Sequence, residues 1–249
     1  MANVLIVAEK ISVGKAIADA IGLKTTEKRN GYMEGYSDFF GCTVWVTWCV
    51  GHLLQMYYPG DYDPKYEKWN LQDLPILPSE YKYKVIPETG TQFQIVVRLM
   101  NSVGNSQRDK DELSTLSADK KFLVPVSEVV NACDCAWEGE RIFRTAYHLA
   151  GCRKPVKRLW ISSMEENAIR EGFRNLKPGA DYDGLYEAAL CRAKADWLVG
   201  INATRLFSVL YGRTLNIGRV ASPTLALVVQ REAEIANFQP VPFYHVKLS

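Results

Sequence analysis

Val130-Asn131-Ala132-Cys133-Asp134-Cys135-Ala136-Trp137-Glu138-Gly139-Glu140-Arg141 is an apolar approach that ends in three carboxylates around one glycine. It reads as a buried strand giving way to a helix. Carboxylates gathered where a strand stops repel one another, so a cation among them is the expected remedy. Val4-Leu5-Ile6-Val7-Ala8 reads as a second buried strand. It delivers Glu9 and Lys10 at its carboxyl end, where open α/β sheets place their ligands.

Around these two strands the pattern alternates β and α. Ser12 is positioned to cap a helix whose Val13, Ala16, Ile17 and Ala20 repeat at helical spacing, with Gly22 closing it. Thr43 to Val50 has β-branched and aromatic strand content and stops at Gly51-His52-Leu53-Leu54, leaving His52 beside a strand end. Residues 57–87, rich in Pro, Tyr and Asp, read as a long ordered loop packed on its aromatics, and a helix follows at Thr91 to Met100. The polar, charged stretch 101–121 reads as an exposed insertion.

Beyond the acidic run, Glu140 to Leu149 reads as helix ending at Gly151, and Val156 to Ile161 as a strand. Ser163-Met164-Glu165-Glu166 has the form of a capping box for a helix running to about Leu176. This alternation predicts an α/β fold with a mostly parallel sheet. From Tyr186 to Tyr211 the pattern becomes one long helix, which places a domain boundary near Ser162. Three segments result: 1–162 as the α/β domain, 163–237 as a mainly helical portion, and 238–249 as the start of a strand region without partners.

The chain has 249 residues, 47% of them hydrophobic, enough for a sizeable core. Its formal charge of +2 has no strong sign, so any nucleic-acid surface must be a local concentration of Lys and Arg. One such concentration runs from Arg192 to Arg219, where five basic residues face a single Asp196. None of the six cysteines forms a C-x-x-C pair, which argues against a zinc ribbon or redox disulfide and for reduced, mostly buried thiols. No basic leader and no apolar run of membrane-spanning length occurs, so no membrane partner and a cytoplasmic location are expected.

Each candidate residue has a structural alternative. Glu9 with Lys10 could be a surface ion pair. His52 could bond a backbone carbonyl. Arg192 and Asp196, spaced i and i+4 on a helix, could be an intrahelical salt bridge. Arg205, thirteen positions after Arg192, faces away from it on a straight helix, which weakens it and Asn202 as groove residues. Gly218, Arg219, Ser222 and Thr224 before a helix suit a phosphate cradle on backbone N–H groups, or an ordinary capped loop. Glu140 suits the macrodipole of the helix start. Trp45, Trp160 and Trp197 are assigned to the core.

In order along the chain, Ala8-Glu9-Lys10, Gly51-His52-Leu53-Leu54, Asp61-Tyr62-Asp63-Pro64-Lys65-Tyr66, Lys68-Trp69, Asp134 with Glu138-Gly139-Glu140, Arg158-Leu159-Trp160-Ile161-Ser162-Ser163, Arg192 to Asn202 and Gly218-Arg219-Val220 to Leu225 resemble the type IA DNA topoisomerases, specifically their bacterial topoisomerase III branch. The resemblance implies a Rossmann-like TOPRIM domain followed by part of a cap domain. It implies that Glu9 moves protons at the scissile phosphate, that Lys10 neutralises charge there, and that Glu9, Asp134 and Glu138 hold Mg²⁺. It further implies that His52, Arg192, Asp196, Asn202, Arg205, Gly218, Arg219, Ser222 and Thr224 contact single-stranded DNA.

Two departures accompany the resemblance. Ala136 and Trp137 stand where the family signature has a third acid or a glycine and then, usually, an arginine. None of the thirteen tyrosines lies in the family's T-Y-x-R-T context, so the implied partner is the C-terminal portion of the enzyme that carries the tyrosine. The readings set against this one are a non-catalytic single-strand-binding module or subunit, and a different TOPRIM enzyme such as a primase or nuclease. A dinucleotide-binding protein is disfavoured because no G-x-G-x-x-G follows the first strand.

Overall fold

The computed structural model describes residues 3–29, 31–102 and 126–248. The expected insertion at 101–121 falls, from 103 onward, outside them. The chain divides into two compact units, Met1–Tyr57 with Tyr81–Arg192, and Tyr58–Glu80 with Ala193–Ser249. The division between these compact units falls inside the long helix.

The first unit is built on a mixed sheet of strands β1 (Asn3–Ala8), β2 (Leu23–Arg29), β3 (Tyr32–Ser37), β4 (Cys42–Trp48), β7 (Val126–Ala132), β8 (Val156–Arg158) and β9 (Lys177–Pro178), in the order β2-β3-β4-β1-β7-β8-β9. The centre, β4-β1-β7-β8, is parallel, and both edges are antiparallel. Strands β2 and β3 lack the apolar runs that expose β1 and β7 in the sequence. A separate short ladder pairs β5 (Leu54–Met56) with β6 (Tyr83–Val85).

Alternation along β1 sends Leu5 and Val7 to one face and Val4, Ile6 and Ala8 to the other, and both faces are covered. On the first face lie Phe93, Val96, Leu99 and Met100 of the helix Gly90–Met100 and Ile142, Phe143 and Ala146 of the helix Trp137–Leu149. On the second lie Val13 and Ile17 of the helix Ile11–Ala20 and Ile169 and Phe173 of the helix Glu166–Arg174. The result is the predicted α/β layering, with a parallel centre buried on both sides. Trp45 is in this core; Trp160 is not, being 40% exposed and stacked on Tyr182.

Two helix starts differ from expectation. The first helix is capped at Lys10 rather than Ser12, with no side-chain cap. The Ser163 hydroxyl accepts from the Glu165 N–H at 3.2 Å, a local turn, and the later helix begins at Glu166 with Glu165 as its cap, so the capping box does not form.

In the second unit, residues 58–80 of the expected ordered loop form short helical turns, Pro59–Tyr62, Pro64–Glu67 and Leu71–Asp73. Asn202 and Arg205 belong to the long helix Asp183–Tyr211, and helix Ala221–Ala236 follows. Residues 238–248 form no strand and are exposed. Among the described residues no helix is long and apolar enough to cross a membrane. The six cysteines are all free thiols, four of them buried.

Candidate active site

Strand order decides where the crevice lies. From β1 the chain moves one way to reach β4, and from β7 the other way to reach β8, so the carboxyl ends of β1 and β7 flank a topological switch point. Ala8 pairs with Ala132 in parallel register, which puts Glu9 beside the Cys133-Asp134 turn. The Asp134 N–H donates to Glu9 Oε2 at 3.2 Å, and the Gly51 N–H donates to the Glu9 carbonyl oxygen at 3.3 Å. Gly51 holds a φ of +69°, a left-handed turn suited to glycine, and this turn carries His52 back to the same place. Three loops distant in sequence, at residues 9, 51–52 and 134–138, thus share one end of the sheet. Lys10 is exposed there at the helix start.

The turn after β7 is held from beneath by Arg158, which has no exposed side-chain surface. Its Nη1 donates to the carbonyl oxygens of Asn131 at 3.2 Å, Cys133 at 2.6 Å and Leu159 at 2.9 Å, and its Nη2 to that of Asp134 at 2.6 Å. Its Nε lies 3.0 Å from Glu140 Oε2, off the line of a hydrogen bond, so the two form an ion pair. Glu140 also accepts from Asn131 Nδ2 at 3.0 Å and Arg144 Nε at 2.9 Å. Glu140 is therefore a buried brace for the Asp134 turn and not simply a charge at a helix start. Arg158 is a site-shaping residue that the linear sequence does not single out, because its partners Glu140, Asn131, Cys133 and Asp134 lie on other elements; Arg144 pairs with Glu140 one turn earlier on the same helix.

Gly139 explains the glycine between the two glutamates. A Cβ at this position would overlap the Asp134 carbonyl oxygen and crowd its nitrogen, so only glycine lets the first turn of the helix pass this close to the acidic loop.

Glu138 departs from expectation. Its Oε1 accepts from Arg141 Nη2 at 2.7 Å and is in contact with His52 Nε2. Arg141, one turn along the helix from Glu138, is a site residue that its i+3 spacing could have revealed. Among the described residues no group of three His, Cys, Asp or Glu side chains is placed to hold a metal ion. Among the described residues the expected cage of Glu9, Asp134 and Glu138 is not assembled; Glu138 is engaged with Arg141 and His52 instead. Glu9 and exposed Asp134 still offer hard oxygen donors at adjacent loops, a set that fits Mg²⁺ with water filling the remaining positions.

Burial pushes the Glu138 carboxyl up, but Arg141 and His52 together outweigh it and hold the group below its ordinary value of 4.5. Its ionised form is thus favoured by folding, a contribution fully present above the unfolded value and lost as pH falls through the folded one. In acid titrations of the wild type and Glu138→Gln followed by circular dichroism, the stability difference is expected to be full above pH 4.5 and to shrink progressively as pH falls from there through the lowered folded-state value. Parallel curves across this window would disprove the assignment.

The remaining candidates occupy the second unit, apart from Arg192. Asn202 accepts from the Ile76 N–H at 2.6 Å and donates to the carbonyl oxygens of Ile76 at 3.1 Å and Leu198 at 2.9 Å. Arg205 is 7% exposed, donates to the Tyr66 carbonyl at 2.8 Å and lies over Trp69. Burial pushes its guanidinium down, against the partial support of Asp73. Both residues hold the 58–80 segment to the helix, a packing role that the linear sequence did not indicate. Asp196 accepts from Arg219 Nε at 2.6 Å.

The Gly218 to Thr224 turn is closed on itself. The Gly218 N–H donates to Ser222 Oγ at 3.1 Å, the Ser222 N–H to the Gly218 carbonyl at 3.2 Å, and Thr224 Oγ1 to the Val220 carbonyl at 2.8 Å. These groups form a capped loop and not an open anion cradle. Trp197 packs edge-on against Tyr62.

Comparison with known proteins agrees with this geometry. Residues 4–164 match the Toprim domain family, and residues 180–249 match a family described as DNA topoisomerase. The chain is 43% identical over 245 residues to DNA topoisomerase 3 of Staphylococcus epidermidis, covering 98% of this chain and 30% of that protein. It is 41% identical over 247 residues to DNA topoisomerase 3 of Bacillus subtilis, covering 99% of this chain and again 30% of the relative. The chain therefore spans about a third of the length of the curated relatives it matches. Among solved structures, full-length topoisomerase I from Thermotoga maritima shares the fold with a TM-score of 0.55 at 22% identity, over 94% of this chain and 31% of that one. The chain belongs to the Toprim domain family, and along nearly its whole length it is similar to the opening third of bacterial DNA topoisomerase 3.

Proposed function

We propose that this chain supplies the acid site and part of the DNA-binding surface of a type IA topoisomerase that works in the cytoplasm, breaking, passing and rejoining single strands of DNA through a 5′-phosphotyrosine bond. The observation that carries this reading is the meeting of Glu9, Asp134 and the Gly51-His52 turn at the switch point, with Asp134 bonded to Glu9. In that arrangement Glu9 holds or releases the proton of the departing or returning sugar hydroxyl. Lys10, on the exposed helix start, balances negative charge on the phosphate. His52 and Arg141 hold the Glu138 carboxylate, and Arg158 fixes the Asp134 turn from beneath. Glu9 and Asp134 would hold Mg²⁺, which supplies charge neutralisation for aligning the phosphate and the rejoining hydroxyl.

The attacking tyrosine would come from a polypeptide corresponding to the remaining length of the relatives. Mixing such a polypeptide with this chain and a labelled single strand is expected to give a covalent DNA–protein adduct. Glu9→Gln keeps an acceptor for the Asp134 N–H but loses proton transfer, and is expected to slow adduct formation and resealing by about 10²- to 10⁴-fold. Absence of any adduct from well-folded components that bind the strand would favour a non-catalytic single-strand-binding module.

A further inference from the structure

We propose that Trp137 and Arg192 form a stacking step for one unpaired nucleobase of a single strand whose phosphate lies at the Glu9 and Asp134 site. The proposal rests on the single-strand reading above and adds a recognition element that the acids do not supply. Trp137 opens the helix that carries Glu138, three residues after Asp134. It is half-buried, and the Arg192 guanidinium carbon lies 4.2 Å from the centre of its ring, on an exposed side chain. The guanidinium already covers one face of the indole, so the flat surface offered to a base next to the acidic turn is the outer side of the exposed guanidinium, held in place by the ring beneath it.

Flat surfaces of this kind suit single strands because every base has a π-face, whereas hydrogen-bond readout would demand one base. The neighbouring position points the same way. Ala136, exposed, puts a methyl group between Asp134 and Trp137, so this side of the acidic turn gains no charge before the indole. The carboxylate that follows, Glu138, is turned to Arg141 and His52. Trp137 therefore stands between an acid suited to a phosphate-bound cation and an arginine able to cover a base. The ligand class is an unpaired base of either purine or pyrimidine type, bound with little preference for sequence.

The test uses the intact chain with a mixed-sequence single strand and an abasic oligomer of equal length. The wild type is expected to bind the base-containing strand more tightly, and Trp137→Ala to weaken that binding by about 10-fold while leaving the abasic oligomer unchanged. Trp137→Phe keeps a ring and is expected to retain most of the affinity, while losing the part of the fluorescence quenching that comes from Trp137. Trp137→Arg is expected to steepen the salt dependence by about one released counterion, whereas Trp137→Ala leaves it unaltered. Equal weakening of both oligomers by Trp137→Ala, or weakening of neither, overturns the stacking step while the single-strand reading survives. Failure of the wild-type chain to bind either oligomer overturns both.

Discussion

Glu140→Ala is expected to lower the free energy of unfolding by about 3–5 kcal/mol, the largest effect of any single substitution near the site. The carboxylate is 1% exposed and faces Arg158, whose side chain has no exposed surface, so its removal leaves a buried guanidinium without its counter-charge. Arg144 Nε and Asn131 Nδ2 lose an acceptor in the same step. Unfolding in urea, with unchanged slope and a lower midpoint, is the measurement. A paired replacement, Glu140→Leu with Arg158→Met, removes both charges together and is expected to recover a large part of the loss, because the cost comes from the orphaned partner more than from the missing bond. A cost below about 1 kcal/mol for Glu140→Ala would mean that Arg158 is neutralised by the four carbonyl oxygens alone.

Gly139→Ala tests the other support of the acidic turn. Alanine is the better helix former by about 1 kcal/mol, so propensity alone predicts stabilisation. The added methyl group would instead overlap the backbone of Asp134, which cannot swing aside as a side chain could. Overpacking of this kind costs about 1–3 kcal/mol, so a net loss is expected, together with displacement of Asp134 from Glu9. The second effect separates this site from ordinary destabilisation. Adduct formation in the two-polypeptide assay should fall much further than the unfolding midpoint accounts for. Gly51→Ala serves as a contrast, since its cost comes from a φ of +69° with no atom within 4 Å of the added Cβ. A stable, fully active Gly139→Ala protein would show that the helix and the acidic loop do not need this approach.

How far the site could be read in advance differs from residue to residue. Glu9 and Asp134 were legible because each follows a continuous apolar run of the kind only a buried parallel strand requires. Glu138 was legible as an acid but not as an acid already engaged, since His52 arrives from a turn that linear spacing cannot place. Arg158 looked like part of a strand, and its clamp on four carbonyl groups depends on where β7 and β8 lie side by side. Asn202 and Arg205 were already the weaker DNA candidates by helix period, since Arg205 faces away from Arg192 on a straight helix. Their partners, the backbone of Ile76 and Tyr66, come from a segment more than a hundred residues earlier. The Ser12 and Ser163 caps failed for a local reason, because the backbone turned into helix one or more residues away from each serine.

The sequence by itself determined the α/β layering, the two acid-bearing strand ends and the long helix, because hydrophobic period and strand-end chemistry are local properties of the chain. Only the tertiary structure decided which acids stand together, which are braced from beneath and which arginines are committed to backbone carbonyls. Those outcomes depend on register and strand order. Parallel pairing of β1 with β7 brings residues 9 and 134 within one hydrogen bond, a contact that no spacing along the chain encodes.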